Sequence, residues 1–187
     1  MNKYYKIGLL RRVKAHLKHG GIIAYPTESC YGLGCNPYNY KAINKIFKLK
    51  KRNKNKGFIV VAGELKQFNK LIKPMSKSQE KIIKRYWPGP YSIILQTKPS
   101  VPHNLTGKFK NLALRVSAQK NIQQLCGFLH YPLVSTSANR SKQVSTKNYR
   151  ECVKQFGKSV FVLPSLIGFA KKPSTIIDIE TNKIFRQ

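Results

Sequence analysis

Apolar residues recur along this chain in short runs broken by Gly, Pro and polar clusters, and the spacing within each run predicts an element. Leu9, Leu10, Val13 and Leu17 share one helical face, which Gly20-Gly21 ends. Residues 22–25 are a continuous apolar run short enough for a buried strand, followed by a Gly-containing loop. Ala42, Ile43, Ile46 and Phe47 mark a second amphipathic helix that runs into the basic stretch 48–56. Residues 57–62 read as a strand, and Leu65, Phe68, Leu71 and Ile72 as a short helix. Ser76-x-x-Gln79 is a capping-box pattern opening a helix through Ile82, Ile83 and Tyr86. Trp87-Pro-Gly-Pro90 is a turn. Residues 91–97 and 112–116 then read as strands joined by a basic, Gly-containing loop. A helix over 122–129, a strand over 133–136, a helix over 146–156 and a strand over 160–163 follow, with 175–179 and 183–185 as a closing hairpin. Helices alternate with strands, but the runs 91–116 and 175–186 look antiparallel. The pattern predicts one α/β domain over residues 1–187, with a twisted, mixed parallel/antiparallel sheet flanked by helices.

Composition changes this picture mainly through charge. The 187 residues hold 36 Lys and Arg against six Asp and Glu, a formal net charge of +30. Such a surface attracts polyanions such as RNA, or anionic substrates such as nucleotides, and binding of that kind is salt-sensitive. The alternative is compositional drift, since the chain is rich in Lys, Asn, Ile and Tyr and its Lys residues are spread along its length. No apolar stretch reaches the roughly 18–20 residues of a membrane span, and no signal-peptide pattern opens the chain. The four Cys, at 30, 35, 126 and 152, form no CxxC pair and are expected to be reduced thiols in a cytoplasmic protein.

Several chemistries lack their residues. There is no HExxH, no zinc-type His/Cys spacing, no GxGxxG and no GxxxxGK[ST]. No metal site made by protein ligands is expected, since apart from Glu28 and Asp178 the acids fall on presumed helix surfaces or in a turn. The four His show no partner pattern, and Cys30 as nucleophile lacks an obvious activator. What remains is positive charge with hydroxyls. Lys50 and Arg52 close a helix with Lys56 behind them, either as a solvated basic helix end or as a phosphate clamp. Residues 135–139, Ser-Thr-Ser-Ala-Asn, follow a strand end, either as a polar turn or as hydroxyls and an amide presented to a ligand. Arg115, between Leu114 and Val116, is a charge inside an apolar strand and suits a substrate carboxylate.

An ordered set of segments carries a family resemblance. They are Ala24-Tyr-Pro-Thr-Glu28, Tyr31-Gly-Leu-Gly-Cys-Asn36, Leu49-Lys-x-Arg52, Lys56-Gly57, Trp87-Pro-Gly-Pro90, Leu114-Arg-Val116, Leu133-Val-Ser-Thr-Ser-Ala-Asn139 and Phe185-Arg-Gln187. The chain thereby resembles the YrdC-type threonylcarbamoyl-AMP synthases, in their short, single-domain bacterial form. The resemblance implies a concave basic cavity (a YrdC/RibB-like fold). It also implies formation of L-threonylcarbamoyladenylate and pyrophosphate from L-threonine, bicarbonate or CO2, and ATP, for tRNA N6-threonylcarbamoyladenosine. By that resemblance Thr27, Arg115, Ser135 and Ser174 hold threonine. Lys50, Arg52, Lys56, Asn111, Ser137, Asn139, Ser145 and Arg186 hold ATP, with Lys50 and Arg52 as the catalytic cations. Mg2+ is expected on the ATP phosphates, and other proteins of the same tRNA modification are expected as partners, with tRNA or double-stranded RNA as a further one. Glu28 is expected to organise nearby cations. Ser29 and Ser141-Lys142 depart from the family pattern, the latter near Ser145. Two competing readings are a basic RNA-binding module without chemistry, and an enzyme like dihydroxybutanone-phosphate synthase, whose acidic metal-binding loop this chain cannot supply.

Overall fold

A computed structural model of the chain describes residues 4–140 and 143–186. Ser141-Lys142 and Gln187 lie outside the described residues. The helices are α1 (Ile7–Lys18), α2 (Tyr40–Lys50), α3 (Lys77–Ile83), α4 (His103–Thr106), α5 (Lys120–Leu129) and α6 (Tyr149–Phe156), with a 3-10 turn at Leu65–Phe68. The strands are β1 (Ile23–Pro26), β2 (Tyr31–Gly34), β3 (Ile59–Ala62), β4 (Tyr91–Gln96), β5 (Asn111–Val116), β6 (Leu133–Ser137), β7 (Phe161–Val162), β8 (Thr175–Asp178) and β9 (Ile184–Arg186). They form one sheet in the order β7-β1-β2-β6-β3-β5-β4-β8-β9. β1–β7, β3–β5 and β4–β8 pair parallel and the rest antiparallel, so the sheet is mixed as expected.

The expected helices over 65–72 and through Tyr86 shorten to the 3-10 turn Leu65–Phe68 and to α3, which ends at Ile83, and two further elements differ from the sequence pattern. Residues 31–34 form a strand rather than a loop, pairing with β1 on one side and β6 on the other. Two of its four residues are Gly, which hides the alternation that marks a strand, but Tyr31 and Leu33 are fully buried. The expected basic loop between β4 and β5 contains the single-turn helix α4.

Alternation along the strands divides the sheet into two faces. One face buries Ala24, Tyr31, Leu33, Val60, Ala62, Ile93, Leu112, Leu114 and Val134 beneath α2 and its neighbours. The opposite face is covered only in part. There Ile23, Tyr25, Val61 and Leu133 pack against Leu10, Val13 and Leu17 of α1 and Ile122, Leu125 and Leu129 of α5. Beyond Val61 and Leu133, the same face continues without a helix over it. Ser135, Ile59, Ala113, Ile94 and Asp178 form one register row across β6, β3, β5, β4 and β8. That uncovered half of the face is the floor of a cavity.

Candidate functional site

The cavity has a volume of about 560 Å³ and is lined from both ends of the chain, from Thr27 to Arg186. Nine of the sequence-derived site residues line it: Thr27, Arg52, Asn111, Arg115, Ser135, Ser137, Ser145, Ser174 and Arg186. Lys50, Lys56 and Asn139 are not among the lining residues.

Local backbone sets these positions. The Thr27 hydroxyl and amide both donate to the Cys30 carbonyl, at 2.8 and 2.9 Å, closing the tight turn between β1 and β2. The segment after β7 braces that turn, with Gly168 N donating to Thr27 O at 2.8 Å and Ala170 N to Glu28 O at 2.9 Å. A Cβ on Gly168 would come within 2.9 Å of Glu28 backbone, so the brace needs glycine.

Glu28 organises a cation. Its carboxylate lies 2.9 Å from Arg115 Nη1 and accepts the Ser117 hydroxyl at 2.6 Å. Arg115 is 6% exposed, and its Nε has no hydrogen-bond partner among the described residues. A buried guanidinium N–H left open this way in a cavity wall is a site for an incoming acceptor. The pair agrees with the expectation that Glu28 organises nearby cations. Glu28 holds Nη1, and the guanidinium lines the cavity, where a ligand can meet it.

The α2 terminus carries the other cations. Lys51 adopts a left-handed conformation, φ 51°, that stops the helix and separates Lys50 from Arg52. Lys50 turns inward, where its ammonium donates to Ser137 O at 2.5 Å, Asn139 O at 2.7 Å and Asn139 Oδ1 at 3.0 Å. Burial, and secondly the charge of Arg52, push its pKa down to about 8. Ser137 donates its hydroxyl to Asn139 Oδ1 at 2.6 Å, so Lys50, Ser137 and Asn139 are one network. Arg52 reaches the cavity. It donates to Gly57 O at 2.6 Å and stacks 4.9 Å from the Phe58 ring, and burial lowers its pKa. The Lys56 side chain is exposed, while its carbonyl accepts from Arg52 Nε at 3.4 Å.

At the far end, Arg186 donates through Nε and Nη2 to Ser174 O at 3.0 and 2.7 Å, and Nη2 also to the Ser174 hydroxyl at 3.0 Å. Burial and then repulsion from Arg115 lower the Arg186 pKa. Fully buried Ser92 shares a hydrogen bond with Ser174 at 2.9 Å. Sequence reasoning missed Ser92, Ser29, Phe109, Lys110 and Asp178, and treated Cys30 only as a candidate nucleophile. Cys30 lines the wall, and its Sγ accepts the Ser29 hydroxyl at 3.9 Å. For Ser92 and Asp178, strand parity beside Arg115 and Ser174 was the available signal. Among the described residues no three His, Cys, Asp or Glu side chains group as a metal site, and no helix is long and apolar enough to cross a membrane.

Comparison with known proteins gives a consistent result. The Sua5_yciO_yrdC family model, described as "Telomere recombination", matches residues 15–187. Threonylcarbamoyl-AMP synthase of Chromobacterium violaceum is 45% identical over 178 residues, 95% of this chain and 92% of the relative. The protein of that name from Methylobacillus flagellatus is 43% identical, covering 94% and 98%. Among solved structures, P. abyssi Sua5 complexed with L-threonine superposes with a TM-score of 0.85 at 28% identity. The match covers 94% of this chain and 52% of that one, so this chain spans about half of Sua5. E. coli YciO, at 23% identity and TM-score 0.85 over 100% of this chain and 96% of its own, shares the fold.

Proposed function

The chain belongs to the Sua5/YciO/YrdC family, and from that premise we propose that it is an L-threonylcarbamoyladenylate synthase. It joins L-threonine, bicarbonate or CO2, and ATP, releasing pyrophosphate, and supplies the adenylate for tRNA N6-threonylcarbamoyladenosine. The observation that carries the reading is the cavity itself. It holds a buried guanidinium with an open donor beside Thr27, Ser135 and Ser174, and in the same space Arg52, Ser137 and Ser145.

The chemistry follows from these groups. The threonine carboxylate pairs with Arg115, held in place by Glu28. The threonine amine adds to CO2, losing a proton, and becomes a carbamate. A carbamate oxygen attacks the α-phosphorus of ATP, and the bond to pyrophosphate breaks. Negative charge spreads over the phosphoryl oxygens and collects on the leaving group, where Arg52 and Lys50 stabilise it. To do so Lys50 exchanges carbonyl and amide oxygens of the 137–139 loop for phosphate oxygens. Catalysis is then positioning and electrostatic stabilisation, with no covalent enzyme intermediate. The described residues form no carboxylate cage for a metal, so Mg2+ belongs with the nucleotide as MgATP substrate. In class the enzyme is a nucleotidyltransferase, working in the cytoplasm where ATP and tRNA occur, with the other proteins of the modification downstream.

The test supplies L-threonine, bicarbonate and ATP and measures pyrophosphate together with the adenylate. Release that depends on all three is expected. Release without threonine, or none, overturns the reading and leaves a basic surface that binds RNA without chemistry. That module would show steeply salt-dependent RNA affinity and no turnover.

A further inference from the structure

Asp178 is the one carboxylate among the described residues that line the cavity, which Arg52, Lys110, Arg115 and Arg186 also line. The ion pairs among the described residues, Glu64–Lys66 and Glu28–Arg115, do not include it. One of its oxygens is committed, since Oδ1 accepts from Glu180 N at 2.9 Å and Thr181 N at 3.3 Å. The other oxygen accepts no hydrogen bond from the described residues. A carboxylate in a cavity built for phosphate repels the phosphates, so the triphosphate must run away from Asp178. The opposite end, at Arg52 and Ser137, supplies the cations and hydroxyls that suit it.

The surroundings of Asp178 suit a flat, uncharged group. In register, Asp178 sits opposite Ile94, and Ile94 opposite Ala113, giving an apolar floor two strands wide. At about 4.8 Å per strand, that floor extends roughly 10 Å from Asp178 to Ala113. Phe109, 55% exposed, lines the same cavity, as does Asn111 two residues before Ala113 on β5. An exposed aromatic ring against an apolar floor is a stacking site for a base.

We propose that this end of the cavity selects adenine. The base lies on Ile94 and Ala113 under Phe109, and its exocyclic amino group donates to the free oxygen of Asp178. Hypoxanthine or guanine in the same pose turns a carbonyl oxygen toward that carboxylate, leaving two acceptors facing each other away from water. Asp178 is then a specificity-determining residue, and its turn bonds fix the carboxylate plane. The proposal rests on the synthase reading for its substrate, ATP.

The test compares ATP, inosine triphosphate and the 6-unsubstituted purine riboside triphosphate, both in direct binding without threonine and in threonine-dependent turnover. Wild type is expected to favour ATP over inosine triphosphate by at least about 100-fold, and over the 6-unsubstituted nucleotide by about tenfold. In Asp178→Asn the amide oxygen keeps the turn bonds and the amino group faces the base. The ATP:inosine triphosphate ratio should then fall at least tenfold, a readout that a turn-capping role alone would not move. Phe109→Ala should weaken all three nucleotides alike, by about tenfold. Equal loss of ATP and inosine triphosphate in Asp178→Asn overturns the proposal. So does equal wild-type binding of ATP and the 6-unsubstituted nucleotide, which needs no variant to fold. Base selection in binding without threonine-dependent turnover would uphold this wall while rejecting the synthase reading.

Discussion

Lys50 carries the sharpest single-residue consequence, because its ammonium is buried against oxygens of Ser137 and Asn139 with no carboxylate among its hydrogen-bond partners. Replacing Lys50 or Arg52 by Ala should each lower kcat/KM for ATP by at least about 100-fold, the scale of losing one preorganised charge-stabilising donor. Near wild-type rates in both would reject the phosphate-clamp assignment. The depressed pKa of Lys50 also fixes a pH dependence. Between about 8 in the fold and its ordinary value of 10.5, the unfolded chain binds the proton that the folded chain has lost. Stability therefore rises with pH across that window for this group, opposite to a lysine that gains an acidic partner. Lys50→Met lacks the group, so the stability of wild type relative to Lys50→Met should increase from pH 8 to 10.5 in denaturant titrations. Over the same range kcat/KM for ATP should fall, because phosphate needs the charged form. In the ATP complex the limb should move to higher pH, as the triphosphate favours the ammonium. A flat difference between the two proteins would mean that Lys50 is not desolvated as its contacts indicate.

At the level of elements, β2 is the hinge of the site, joining the Thr27 turn to the Ser135 and Ser137 strand. Its Gly34 is a packing requirement rather than a turn residue. A Cβ there would stand 2.5 Å from Val134 O and 2.7 Å from the Tyr25 ring. Gly34→Ala should cost about 1–3 kcal/mol by overpacking, seen as a Tm lower by roughly 3–10 °C. An unchanged Tm would show that β6 can yield there. The sequence made most elements legible because their apolar periodicity is strong, as in α1, α2, α5 and β3–β5. β2 was not, since Gly32 and Gly34 have no side chains to alternate and its identity comes from partners on both sides. The site was legible where motif segments name residues, as at Thr27, Arg52 and Ser137. It was illegible where register decides. Glu28 meets Arg115 and Ser117 only because the sheet folds distant segments together, and Asp178 reaches the cavity only by pairing with Ile94. Glu28 thus orients a cation, and Asp178 is brought into the cavity lining.

For the whole molecule the governing quantity is the net charge of +30 set against only two ion pairs among the described residues. One of them, Glu64–Lys66, is exposed and contributes little. The other, Glu28–Arg115, belongs to the cavity. Folding therefore brings like charges together with almost no pairing in return, and the compact state bears the repulsion more than the expanded one. Screening should relieve it, since the Debye length shrinks from about 20 Å near 20 mM salt to about 4 Å near 500 mM. Tm should rise by at least about 5 °C over that range of sodium chloride, most steeply below about 100 mM, where the screening length changes fastest. Chloride is the appropriate salt, because sulfate also strengthens burial by exclusion from the surface and would mimic the effect. ATP binding should respond in the opposite direction, weakening as salt rises, because the cavity cations attract the triphosphate through the same field. A protein whose Tm stays flat while ATP affinity falls would have its repulsion concentrated at the cavity. One whose Tm and affinity are both flat would have a surface too dispersed in charge for either effect, and the excess Lys would then be compositional. The expected pair of opposite slopes places the positive charge both around the fold and inside its cavity, with the fold accepting self-repulsion for a field that draws in the nucleotide.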